Sequence, residues 1–107
     1  MADTIKILGQ SYPVVGVLTD AYTAPSAATV SSIFVCNQNV LESKFRISIA
    51  QAGAADTSNQ YLYYDEVIQA KETFVATVGI TLASTDVIRV YSANGLCSFN
   101  IFGVEVV

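Results

Sequence analysis

Few side chains in this sequence are equipped for chemistry. There are two cysteines, Cys36 and Cys97, nine carboxylates, six tyrosines, and no histidine or tryptophan. A nucleophilic thiol or hydroxyl works beside a base, and without imidazole none is at hand. The cysteines are not spaced for zinc, whose structural sites take four Cys or His ligands. They read as buried thiols acting as small hydrophobes, with a disulfide as the alternative if their strands are neighbours and both point inward. Asp65-Glu66 has the look of paired carboxylates, but successive strand residues face opposite ways, so the two share a site only across a bulge. Asp56 with Asp3, Asp20 or Asp86 would hold calcium only by accident of folding, because no D-x-D-x-D spacing exists. The expectation is a protein that is not an enzyme, with no catalytic residues, no cofactor, no metal and no small-molecule substrate.

The tyrosines are better suited to contact than to catalysis. Gln60-Tyr-Leu-Tyr-Tyr-Asp65 carries three of them, and alternation puts Tyr61 and Tyr63 on one face, with Leu62 and Tyr64 on the other. A tyrosine combines a large apolar ring with a polar tip, which suits a protein interface. Cross-strand packing is the plainer use of the same residues. A carbohydrate site would also favour Tyr, but it would want Trp and more acid or amide neighbours.

Composition supplies the frame around these residues. Apolar side chains make up 52% of the 107 residues and charged ones 13%, against a usual ~25%. Disordered chains are poor in aliphatics and rich in charge, so this one folds. The net charge of −4, with no basic cluster, argues against nucleic acid, whose phosphates must be neutralised. Residues 21–41 carry no charge, yet they hold Pro25, Asn37, Gln38 and Asn39 and do not read as a membrane span. Nothing resembles a signal peptide, since no apolar run follows Lys6 before Gly9. A thin core does not absorb every apolar side chain of such a composition, and surplus apolar surface marks a protein interface. Self-association or docking on a larger shell are the outlets.

Val, Ile and Thr account for 32 residues, the excess that strands favour. Period-two alternation recurs, as in Phe45, Ile47 and Ile49 against Lys44, Arg46 and Ser48. Strands are expected at 4–8, 14–19, 28–37, 43–51, 60–67, 73–80, 86–92 and 96–106. Turn chemistry separates them at 37–39, 53–59, 84–86 and Asn94-Gly95. Eight short antiparallel strands predict an all-β fold, a single-domain sandwich or jelly-roll-like structure spanning 1–107. Asn-Gly favours a two-residue hairpin. That hairpin would place Val90 opposite Phe99 and Ile88 opposite Ile101 on the core side. Val87 opposite Phe102, with Tyr91, would then lie outside as a protein contact, alongside Tyr61 and Tyr63 as further interface candidates.

Longer stretches carry a resemblance. "Val30-Ser-Ser-Ile-Phe-Val-Cys-Asn37", "Phe45-Arg-Ile-Ser-Ile49", "Gln60-Tyr-Leu-Tyr-Tyr-Asp65", "Gly79-Ile-Thr-Leu-Ala83" and "Ser98-Phe-Asn-Ile-Phe-Gly-Val-Glu105" resemble small virion structural proteins of tailed bacteriophages, cyanophage-like ones among them. The resemblance covers nearly the whole chain. It implies a virion component made in the host cytoplasm, partnered by itself and by the major capsid or other virion proteins. A capsid decoration (cement) protein that stabilises the head shell by surface burial is the leading expectation. A tail, fibre or collar adaptor is the alternative, and a carbohydrate-binding module for host attachment the third.

Overall fold

The computed structural model describes residues 3–106. Eight strands form two four-stranded antiparallel sheets. Across the first the order is β1 (Thr4–Ser11), β8 (Cys97–Glu105), β3 (Ala28–Asn37), β6 (Thr73–Leu82). Across the second it is β2 (Thr19–Thr23), β7 (Val87–Ser92), β4 (Ser43–Ala50), β5 (Tyr61–Ile68). Every connection except β4–β5 crosses from one sheet to the other, which is the wiring of a jelly roll. Among the described residues the only helical pieces are two three-residue 3-10 turns, Gln51–Gly53 and Ser58–Gln60.

Alternation produces the two layers. Along β8, Cys97, Phe99, Ile101, Gly103 and Glu105 are buried, while the residues between them are half-exposed. Ile33 and Val35 of β3, Phe45 and Ile47 of β4, and Ile88 and Val90 of β7 meet them between the sheets. The Phe45 ring lies 5.2 Å from Phe74 and 6.2 Å from Phe99, which links the two sheets at the middle of the core. Each such side chain contributes roughly 1.5–3 kcal/mol by leaving water. Near the β2–β3 connection, the Tyr22 hydroxyl of the second sheet donates to Glu105 of the first at 2.7 Å, and Lys6 Nζ lies 3.0 Å from the same carboxylate. The Tyr22 bond first, then Lys6, holds the Glu105 carboxyl below the usual range, while burial pushes the Tyr22 phenol up.

Two local expectations are overturned. The strand expected at 14–19 is not formed, because Val17 N–H donates back to Val14 C=O and Gly16 takes a φ of 70°, turning the chain before β2 begins at Thr19. The Asn94-Gly95 hairpin is not formed either. Positive φ falls on Gly95 and Leu96 rather than on Asn94, and the chain passes from one sheet to the other. Ile88, Val90, Phe99 and Ile101 do fill the core, but from opposing sheets.

Candidate functional site

Four connections meet at one end of the sandwich: 12–18, 38–42, 69–72 and 93–96. Antiparallel order requires them to share an end, and hydrogen bonds tie them together. Gly16 N–H donates to Ser92 C=O, Gln38 N–H to Leu96 C=O, and Lys71 N–H to Asn39 C=O. Asn37 is fully buried beneath them, with its amide nitrogen 3.0 Å from Leu41 O, 3.3 Å from Ile68 O and 3.1 Å from Gln69 O. Its amide oxygen accepts from Asn39 N–H at 3.0 Å. Gly95 lies against Val15, where an added Cβ would come within 2.4 Å of the valine methyl. The sequence marked Asn37 as turn chemistry, but gave no sign that one buried amide joins two loops.

This scaffold holds large apolar side chains out in solvent. Val14 is 69% exposed, Val40 73% and Leu41 64%, and Tyr12, Val15, Val17 and Leu96 are exposed beside them. Apolar side chains exposed together, rather than scattered singly, mark a site of protein contact. Lys71 Nζ donates to Gln38 C=O at 2.9 Å across two of these loops.

A second apolar surface is the outer face of the first sheet. Phe102 lies there, paired in register with Ile7 on β1 and Ser32 on β3, its ring edge-on to Phe34 at 5.5 Å. Ile5, Ile7, Phe34 and Val75 are exposed on this face. Val87 does not accompany Phe102, which corrects the hairpin expectation. It pairs with Thr23 and Ala50 in the other sheet and is buried beneath the turn at Gly53.

The outer face of the second sheet carries the polar cluster. The Arg46 guanidinium lies 4.2 Å from the centre of the Tyr64 ring and 4.4 Å from that of Tyr91. Its Nε donates to Asp65 at 2.7 Å and Nη2 at 3.3 Å, a forked pair that holds the Asp65 carboxyl below the usual range. Tyr61 stands edge-on to Tyr64 at 5.0 Å, and burial, then Asp56, pushes its phenol up. Tyr63 turns the other way and packs on Phe74 at 5.4 Å and Phe45 at 6.1 Å. The expected pairing of Tyr61 with Tyr63 on one face is therefore wrong. Register shifts on both sides of Ile47, with a φ of 54° at Asp65, break the alternation within β5.

Cys36 and Cys97 are free. Cys97 is buried inside the sandwich, and half-buried Cys36 sits beside Ser98 on the outer face, so the sheet separates the two thiols. Among the described residues no group of three potential metal ligands converges. No protein-family model matches the chain, and no curated protein matches it.

Proposed function

We propose that this chain is a structural component of a bacteriophage virion, a decoration protein that fastens onto the head shell with the apolar end of its jelly roll. The observation that carries the reading is that end, where seven large apolar side chains stand in solvent on a hydrogen-bonded frame. A surface of this kind gains free energy only by covering, and the shell supplies a repeated partner. Binding only the assembled shell stabilises it by mass action. The resemblance to small phage virion proteins supplies the context.

The test is the double variant Val40→Ser, Leu41→Ser. Purified particles should carry hundreds of wild-type copies by gel densitometry and lose the variant, whose thermal unfolding should match wild type. Tens of copies would instead favour the tail, fibre or collar. Full retention of the variant on the particle would refute docking through this end. One observation favours a second reading, attachment to carbohydrate: Tyr64 is 61% exposed beside Arg46, Asp65 and Tyr61, a ring face flanked by charged hydrogen-bonding groups. A glycan array with wild type and Tyr64→Ala tests it.

A further inference from the structure

A sheet edge offers unpaired backbone groups to any other strand, and proteins usually protect it with charge, bulges or shortness. Three of the four edges here are protected in those ways. β1 carries Lys6 and a register break after Ile7. β2 is five residues long, contains Asp20 and is bulged beside it. β5 contains Asp65 and Glu66 and is twice irregular.

β6 differs. Its ten residues, Thr-Phe-Val-Ala-Thr-Val-Gly-Ile-Thr-Leu, hold no charge and no proline. It ends its sheet, with β3 as its neighbour on one side. Its register break lies between Thr77 and Ile80, so Thr73–Thr77 run regularly against Cys36–Ser32. Thr73, Val75 and Thr77 are exposed on the outer face, while Phe74 is half-buried and Ala76 buried on the inner one. From these features we infer that β6 is the edge through which two copies of this chain pair, antiparallel about a two-fold axis at Val75.

The segment is complementary to itself in that register. Thr73 faces the partner's Thr77, a favourable cross-strand pair, and Val75 faces the partner's Val75. On the inner side each Phe74 faces an alanine, large against small, where its ring already borders Tyr63 at the open flank of the sandwich. The pairing closes after two copies, because each contributes one edge to an isologous contact. The outer face bearing Phe34 and Phe102 then runs on across the dimer. This interface uses strand edges rather than the apolar end, so it goes beyond the docking reading and fails or stands separately from it.

Sedimentation velocity of the purified chain tests the inference. Wild type should be a dimer at micromolar concentration. Val75→Lys should be a monomer, since two ammonium groups would meet on the axis, and should keep the wild-type far-ultraviolet circular dichroism spectrum because Val75 is 45% exposed. As a second readout, Val75→Cys in a Cys36→Ser background should oxidise to a disulfide-linked dimer, while Ile5→Cys in the same background should not. A wild type that stays monomeric, a dimeric Val75→Lys, or cross-linking at Ile5 and not at Val75 would each overturn it. If Val75→Lys fails to fold, the cross-linking pair decides.

Discussion

Replacing Asn37 with leucine removes one buried amide while keeping similar bulk. Its two N–H groups serve three carbonyls, at Leu41, Ile68 and Gln69, and its oxygen holds Asn39 N–H. Leucine offers none of these. Leu41 and Gln69 are exposed residues whose carbonyls regain water, whereas the bond to Ile68 O is fully enclosed. At ~1–3 kcal/mol for the orphaned Ile68 carbonyl and about 1 for each of the two partly rehydrated ones, the loss is about 3–5 kcal/mol. For a domain this size that lowers Tm by roughly 15–25 °C. Differential scanning calorimetry measures it directly. The companion Asn37→Asp separates hydrogen bonding from packing. Burial and the facing carbonyl dipoles raise the introduced carboxyl's folded pKa above its unfolded value of ~3.9. Its stability is then greatest below the unfolded pKa and is lost as pH rises through the folded one. Asn37→Asp should therefore gain on wild type between pH 7 and pH 4. If Asn37→Leu unfolds within ~1 kcal/mol of wild type, the buried amide is not what holds this end together.

Three carboxyls sit below their ordinary range: Asp65 through Arg46, Asp86 through the Ala52 and Ala83 N–H groups, and Glu105 through Tyr22 and then Lys6. Their folded pKa values lie below the unfolded ones, so their contribution is complete above ~pH 4 and is lost as pH falls further. Tm should be level from pH 7 to 5 and drop below 4; a rise on acidification would contradict this. Gly103→Ala would bring a Cβ within 2.1 Å of Thr29 O and 3.0 Å of Val30 Cα, both backbone atoms. The cost should be about 3 kcal/mol, read as a lower urea midpoint, and an unchanged midpoint would show that β3 and β8 yield easily. A thiol reagent should modify half-buried Cys36 in the native protein and Cys97 only after unfolding. Mass spectrometry without reductant should show no loss of two hydrogens.

Much of the architecture was legible because a strand has period two. Seven of the eight strands lie where alternation and turn residues put them, and within β4 and β8 the inward residues are the expected ones. The failures share a cause. Residues 14–19 carry strand-like valines, but one turn at Gly16 keeps Val14, Val15 and Val17 out of any sheet and leaves them exposed. Within β5 the register shifts put Tyr61 and Tyr63 on opposite faces, and a bulge leaves no mark in an aromatic run.

The sequence by itself determined that this is a charge-poor, β-rich chain with more apolar surface than its core absorbs. It also determined which residues of β4, β7 and β8 point inward, since there the alternation is unbroken. Only the tertiary structure decided which sheet each strand joins. Asn94-Gly95 allows a tight hairpin, yet β7 and β8 part there, because β8 finds its hydrogen-bonding partners in β1 and β3 and β7 finds its own in β2 and β4. Those partners are distant in sequence, and their pairing gathers four loops at one end, with exposed valines and leucine around a single buried asparagine. Local pattern sets the face of a residue; long-range backbone pairing sets its neighbours.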